Sequence, residues 1–288
     1  MNSYTIFTDS ACDIIPETLQ VWNVKYVSLT FRFQNDEKEY TESDIPSSVF
    51  YDRMRGGAIA KTAAINSETF RAAFEPELAA GHDVLYIGFS SGLSTTYNSA
   101  RMAAQELAEK YPERTILTID SLAASAGFGL LVAMAVEKRD EGADIQTVAE
   151  YVKGLIPRLC HWFTVDDLVY LKRGGRVSPT AAFVGNLLGI KPVLYMDNEG
   201  HLIPVSKVRG RRTSIVAMAD KYTEKAVDKE NGTVFISHGD CLADAQQLAD
   251  MLKERHGVEV KIITDVGPVI GAHSGPGTIA LFFVADAR

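Results

Sequence analysis

A short run of small hydroxyl residues, FSSGLST at Phe89 to Thr95, is the first stretch of the sequence that could do chemistry. It lies between an apolar run, Asp83 to Gly88, which predicts a buried strand, and a segment with helical apolar spacing that begins near Thr95. The first N–H groups of a helix have no partner within it, and the helix dipole puts partial positive charge there. The turn could therefore be an ordinary serine cap, or it could bind an anion through Ser91, Ser94 and those N–H groups.

The same turn also matches the nucleophile elbow of serine hydrolases. Gly88-Phe89-Ser90-Ser91-Gly92 fits G-x-S-x-G between a predicted strand and a predicted helix, and Asp240 and His273 follow in the order of an α/β-hydrolase triad. Ser90 would then be the nucleophile of an esterase. No HGGG-like oxyanion loop lies upstream, and the pentapeptide consists of residues that are common in turns. The esterase therefore stands as an alternative hypothesis.

Two glycine-rich segments carry further candidate side chains. His273 lies in GPVIGAHSGPG, which we interpret as a turn whose glycines and prolines fix the position of the ring. A histidine held so rigidly in a loop favours a binding or catalytic role over a purely structural one. Gly174-Gly175-Arg176 follows a predicted helix, so it is either a helix end followed by a surface arginine or a site for an anionic group.

A cluster of basic residues stands out in an acidic chain. Lys207, Arg209, Arg211 and Arg212 could form a solvated face or could dock an acidic partner or a phosphate. The histidines other than His273 form no metal-ligand spacing and are interpreted as structural or surface residues. They are His82, His161, His201, His238 and His256.

The elements that must position these residues change character near Pro157. Before it, predicted strands alternate with helices, which is typical of a parallel sheet covered on both faces, and three strands end in polar turns at Asp9, Ser90-Ser91 and Asp120. Ligands of such sheets bind beyond the carboxyl ends of the strands. After it, a hairpin, IKPVLYM-DNEG-HLIPVSKV, indicates a mixed or antiparallel sheet.

We therefore predict an α/β protein of two domains. Residues 1–157 form an N-terminal α/β domain, and residues 158–288 form a C-terminal α+β domain whose last strand could pack back toward the first domain. A helix is expected around Ala181 to Leu188 within the second domain.

Composition excludes several classes of protein. The apolar fraction of 46% is ample for a folded core, and the formal net charge of −8 argues against a general nucleic-acid binder, which needs a basic face. No apolar run approaches the roughly 20 residues of a membrane span. The segment MNSYTIFTDS lacks the features of a signal peptide, and three scattered cysteines make neither a disulfide framework nor a zinc site. A cytoplasmic location without integral membrane association follows as the expectation.

Several of these stretches together resemble the DegV family. They occur in the family's order along nearly the whole chain: TDSACDI at 8–14, FSSGLSTTYNSA at 89–100, LVYLKRGGRVS at 168–178, LLGIKPVL at 187–194, GHLIPVSKVR at 200–209 and GPVIGAHSGPGT at 267–278. The resemblance implies a two-domain α/β protein that holds one long-chain fatty acid between its domains. Characterised members of the family are subunits of a bacterial fatty acid kinase that present the acyl carboxylate to a separate kinase subunit.

The resemblance also implies roles for particular residues. The hydroxyl groups of Thr62 and Ser94 would hold the carboxylate, with Ser91 in the same turn, His273 beside it and Arg176 close by. Lys207 and Arg209 would form the docking face for the kinase. Apolar residues of the second half would enclose the tail.

The sequence departs from the family pattern at two places. Thr62-Ala63-Ala64-Ile65 stands where the family usually has T-S-Q-P, and Thr95 stands where SGLSGTY has its second glycine. We predict a lipid-binding carrier that needs no cofactor and is not itself an enzyme. The alternatives are the Ser90 esterase and a binder of another small anion, such as a phosphorylated metabolite.

Overall fold

The computed structural model describes residues 3–177 and 189–288. Their strands are β1 (Tyr4–Asp9), β2 (Val24–Val27), β3 (Thr30–Phe33), β4 (Ala60–Ala63), β5 (Asp83–Gly88), β6 (Ile116–Asp120), β7 (Leu159–Thr164), β8 (Ile190–Met196), β9 (Leu202–Arg209), β10 (Val234–His238), β11 (Val260–Asp265) and β12 (Ile279–Val284). Their α-helices are α1 (Pro16–Val21), α2 (Ser47–Arg55), α3 (Ser67–Ala79), α4 (Thr96–Lys110), α5 (Ala126–Asp140), α6 (Ile145–Leu155), α7 (Val169–Arg173), α8 (Arg211–Lys225), α9 (Leu242–His256) and α10 (Pro268–Ser274).

The first sheet is parallel, as the alternation of strands and helices predicts. Its strand order is β2-β1-β5-β6, and every pair in it is parallel. All six residues of β5 are buried, which requires cover on both faces of the sheet. Helices α3, α4, α5 and α6 supply that cover.

The second sheet is mixed and contains the expected hairpin. Its order is β11-β10-β12-β7-β8-β9, in which only β10 and β11 run parallel. Strands β8 and β9 pair antiparallel from Ile190 opposite Arg209 to Met196 opposite Leu202. The α/β class with a parallel sheet followed by a mixed sheet is therefore confirmed.

The glycine-rich segment before the last strand is a helix rather than the predicted turn. Pro268 occupies the first turn of α10, where its fixed φ suits a helix and its missing N–H costs nothing. Gly275 ends the helix with φ 82°, a conformation that disfavours other residues. The helix predicted around 181–188 lies outside the described residues.

Helix α5 joins the two sheets. It belongs to the first half of the chain, yet it contacts β10 and β12 of the second sheet as well as β5. At Gly127 it lies so close to β12 that an added Cβ would be 2.8 Å from the Phe282 ring. The four strands of the first sheet precede Pro157 and the six of the second follow it, while the domain boundary itself stays a prediction.

A separate two-stranded sheet lies beside the contact between the two larger sheets. Strands β3 and β4 pair antiparallel, with Phe31 opposite Thr62. The rings of Phe31, Phe33 and Phe50 pack with Ala272 of α10 in one buried cluster. Because α10 belongs to the second half, this cluster positions β4 against it.

Candidate functional site

Two aspartates hold the hydroxyl turn that follows β5. The carboxylate of Asp9 accepts hydrogen bonds from the Tyr86 hydroxyl at 2.7 Å and from the Phe89 N–H at 3.0 Å. Asp120 accepts the N–H of Ser91 at 3.1 Å. The three strand ends therefore meet at one rim, as expected for neighbouring parallel strands, but both carboxylates stabilise the turn instead of facing a ligand.

The backbone N–H groups of residues 89–94 in this turn are already bonded. Those of Leu93 and Ser94 donate to the carbonyl of Ser90, each at 3.1 Å, and that of Gly92 donates to the Ser90 hydroxyl at 3.1 Å. The Ser94 hydroxyl accepts the N–H of Thr96, the first residue of α4, at 3.2 Å in a local turn ahead of the helix. An anion at this turn would therefore find the N–H groups of residues 89–94 and of Thr96 in use, and it would rely mainly on side-chain hydroxyls.

Ser90 does not form the nucleophile of a hydrolase. It is fully buried, and its hydroxyl donates to the carbonyl of Gly200 at 3.0 Å. The other members of that triad have different partners: His273 bonds Thr62, and Asp240 pairs with Arg55. The elbow motif therefore builds a tight turn, and the constellation required for acyl transfer is not assembled.

A cavity of about 360 Å³ opens beside this turn, at the junction of the two sheets. Its volume falls within the range of about 300–1,000 Å³ that is typical of small-molecule sites. Most of its wall is apolar, including Phe89, Leu93, Phe163, Leu202, Val269 and Ile270.

All five residues predicted to bind a carboxylate line this cavity. They are Thr62 from β4, Ser91 and Ser94 from the turn after β5, Arg176 from the loop after α7, and His273 from α10. Tertiary structure alone brings them together, because they come from four separate segments of the chain.

His273 and Thr62 form the bonded centre of this group. The Thr62 hydroxyl and the Nε2 atom of His273 are 2.9 Å apart. Burial, and then the nearby Arg176 guanidinium, lower the pKa of His273 to about 4. The ring is therefore neutral at physiological pH, and it can donate or accept one hydrogen bond without carrying charge.

Arg176 brings a positive charge to the same end of the cavity. Its Nε and Nη2 atoms donate to the Leu93 carbonyl at 3.2 and 3.1 Å, and Nη1 donates to the Gly174 carbonyl at 2.6 Å. Within residues 3–177 and 189–288, no carboxylate forms an ion pair with it. Three of its five N–H donors are used, so a half-buried cation with spare donors faces an otherwise neutral site. This favours an anionic group as the ligand.

Several polar residues at the cavity wall were missed by sequence reasoning. Ser125, Ser237, Thr278, His161 and Ser274 line it. From the sequence, His161 is interpreted as a structural or surface residue, and His273 is the one candidate in the segment that contains Ser274. No local sequence pattern identifies these residues as cavity residues, because serines and histidines in strands and at helix ends have many different roles.

Both departures from the family pattern lie at the cavity. Ala63 and Ala64 line it, and so does Thr95. Thr95 has φ −76°, a conformation open to any residue, so the usual glycine is not needed there.

The basic residues of β9 lie apart from the cavity lining. Lys207 and Arg209 are exposed on β9, which is an edge strand of the second sheet. Arg211 instead pairs with Asp244 at 2.8 Å and approaches Asp166 at 3.6 Å. The predicted cluster therefore divides into the exposed pair on β9, the exposed Arg212 in the first turn of α8, and the structural Arg211.

The described residues contain neither a membrane-spanning helix nor a cluster of metal ligands. No helix among them is long and apolar enough to cross a bilayer. No group of three or more His, Cys, Asp or Glu side chains among them could hold a metal ion.

Comparison with known proteins identifies relatives over the full length. The model of the family described as "Uncharacterised protein, DegV family" matches residues 3–286. A DegV domain-containing protein of Clostridium perfringens is 40% identical, over 100% of this chain and 99% of the relative. A protein of Thermotoga maritima named fatty acid-binding protein is 32% identical, over 95% of each chain.

A solved structure has the same fold over the same length of chain. A stearic acid-binding protein from Eubacterium ventriosum superposes with a TM-score of 0.88 at 26% identity, covering 98% of each chain.

Proposed function

Because the chain belongs to the DegV family, we propose that it binds one long-chain fatty acid in the cavity between its two sheets. The observation that carries this proposal is the division of one cavity into a polar end with an unpaired arginine and an extended apolar wall. Relatives with full-length similarity are described as fatty-acid-binding proteins.

The carboxylate would lie at the polar end, with Thr62 and Ser94 as hydroxyl donors and Ser91 in the same turn. Arg176 would balance its charge through the guanidinium donors that the backbone carbonyls leave unused. Neutral His273 would orient the Thr62 hydroxyl. These partners can hold a carboxylate without covalent chemistry, which fits a carrier better than an enzyme.

The acyl chain would lie along the apolar wall. Each buried methylene contributes about 0.8 kcal/mol, so a long chain supplies most of the affinity and few polar contacts are needed. A small phosphorylated metabolite would leave this wall unused, and the fatty acid is therefore the better fit of the two anions.

We further propose that the protein presents the carboxylate to a separate kinase subunit, which would make the acyl phosphate from ATP. The support is the family resemblance together with the exposed basic pair, Lys207 and Arg209, on an edge strand. A cytoplasmic location is part of the proposal, because all three cysteines are free thiols.

The proposal is tested first on the protein as purified from cells. Extraction with organic solvent followed by mass spectrometry should recover one equivalent of a long-chain fatty acid per chain. Binding of added fatty acids to the delipidated protein would be measured in parallel. An empty protein that also fails to bind added fatty acids would refute the proposal, and recovery of a phosphorylated metabolite would favour the other anion.

A further inference from the structure

His161 is a buried histidine in the cavity wall with no hydrogen-bond partner in the part of the chain that the structure describes. Only 5% of its surface is exposed, and it lines the cavity. Its Nδ1 atom is buried without a partner, and no hydrogen bond joins the ring to any residue in the described ranges. Buried polar groups are nearly always bonded, so this ring needs an explanation.

The surroundings of the ring are apolar. The imidazole centroid lies 4.6 Å from that of Phe282 and 5.7 Å from that of Phe163. Nδ1 faces α5, where a Cβ on Gly127 would be 3.5 Å away. No described carboxylate pairs with His161, and the only described charge that affects its pKa is that of Arg288. Nδ1 packs against α5, so Nε2, which has no bond to a described residue either, is the ring nitrogen that can take a partner from the cavity.

His161 lies away from the carboxylate end of the cavity. It is three residues before Thr164, the last residue of β7, which gives a separation of about 10 Å along the strand. Thr164 pairs with Ile279, the first residue of β12 after the helix that carries His273, whereas His161 pairs with Phe282 further along β12. A ligand whose carboxylate lies at Arg176 would therefore reach His161 with its acyl chain.

The other polar side chains of the wall differ from His161. The Ser125 hydroxyl bonds Asp13 and lies 2.8 Å from that of Ser237, so this group is satisfied within the protein. The Nδ1 atom of His273 and the Ser274 hydroxyl are also buried without a partner among the described residues, but both residues belong to the carboxylate end. The unmet hydrogen-bonding capacity beside the acyl chain is therefore concentrated at His161.

The protonation state of the ring defines what it can bind. Burial, and then the charge of Arg288, lower the pKa of His161 to about 3, so the ring is neutral in cells. A neutral imidazole has one donor and one acceptor. A hydroxyl group matches Nε2 in either tautomer, because it also donates and accepts, whereas a second charge would lack a counter-ion beside two phenylalanines.

We propose that the preferred ligand of this protein is a hydroxylated long-chain fatty acid, whose chain hydroxyl bonds His161. The inference rests on the proposed fatty-acid binding and adds the substrate class. An unsubstituted chain would bury the imidazole without a partner, which makes His161 a specificity-determining residue.

The experiment compares stearic acid with its mono-hydroxylated positional isomers on the delipidated protein. We expect at least one isomer to bind about two- to tenfold more tightly than stearic acid, as a single uncharged hydrogen bond predicts. His161→Phe should reverse this order, because it removes the hydrogen bond and supplies an apolar surface to the unsubstituted chain. His161→Gln should retain part of the preference.

Phe163→Leu is the matched control, since it alters the same wall without removing a polar group and should weaken both ligands alike. Thermal unfolding of each variant checks that the fold is retained. If stearic acid binds more tightly than every isomer and His161→Phe leaves the ratio unchanged, the inference is wrong while the proposed function stands. If neither class of ligand binds, the proposed function itself is refuted.

Discussion

The side chains at the polar end of the cavity are held in place by different partners. Thr62 and His273 are bonded to each other, and Arg176 is oriented by two backbone carbonyls. The Ser94 hydroxyl accepts the N–H of Thr96, and Ser94 also lines the cavity. A bound carboxylate would therefore take its hydrogen bonds from hydroxyls that are already positioned, and little order would have to be created on binding.

This arrangement predicts the effect of removing both hydroxyls. We expect Thr62→Ala together with Ser94→Ala to weaken stearic acid binding about tenfold or more, because two bonds to a charged group are lost. The measurement is a binding titration of the delipidated protein. Ser99→Ala, one turn further along α4 and outside the cavity, is the control and should change nothing. Unchanged affinity in the double variant would show that these hydroxyls do not hold the carboxylate.

At the scale of elements, the loop after α7 and helix α10 fit each other closely. A Cβ on Gly174 would overlap the Nδ1 atom of His273, although the backbone of Gly174, with φ −74°, suits any residue. The glycine is thus required by the packing of α10 and not by its own conformation. The same loop carries Arg176, so one contact sets the relative position of two predicted ligand-binding residues.

Gly174→Ala tests this contact. We expect the methyl group to displace His273 or the loop, which should lower the free energy of unfolding by about 1–3 kcal/mol and weaken fatty acid binding. Denaturant unfolding and a binding titration measure the two effects.

Gly154→Ala is the matched control for this substitution. Gly154 lies within α6, and an added Cβ there meets nothing within 4 Å. Alanine favours the helix, so stability should stay equal or rise and binding should not change. Normal binding and stability in Gly174→Ala would contradict the proposed packing.

At the scale of the whole molecule, the two sheets create the cavity between them. Helix α5 of the first half packs on β10 and β12 of the second, and the buried hydroxyls of Ser125 and Ser237 meet across that junction at 2.8 Å. Burial raises the pKa of Asp13, which bonds Ser125, to about 8. The junction is therefore a packed interior held by neutral hydrogen bonds, and the ligand would occupy its unfilled part.

The two edges of the second sheet allow the proposed kinase docking face to be tested. We expect Arg209→Glu on edge strand β9 to leave fatty acid affinity unchanged and to abolish acyl phosphate formation with a reconstituted kinase subunit, because charge reversal opposes an acidic partner. Lys261→Glu, an exposed cation on the opposite edge strand β11, is the control and should retain turnover. Normal turnover with Arg209→Glu would exclude this docking face.

Much of the fold was predictable because it depends on local patterns. The buried run of β5 and the alternation of strands with helices predicted the parallel sheet, and IKPVLYM-DNEG-HLIPVSKV predicted the β8–β9 hairpin. The segment GPVIGAHSGPG was wrongly interpreted as a turn. Its glycines and prolines indicated a constrained turn, whereas Pro268 begins a helix there and Gly275 ends it.

The candidate site was likewise predictable only where it depends on local sequence patterns. The sequence by itself determined the hydroxyl turn, the constrained His273 and the loop of Arg176, because these depend on residue type and short spacing. Only the tertiary structure decided that the N–H groups of the hydroxyl turn are already bonded, that Ser90 is buried against Gly200, and that His161 has no hydrogen-bond partner among the described residues. Those facts depend on which distant segments meet, and contacts between residues far apart in the chain leave no trace in local spacing.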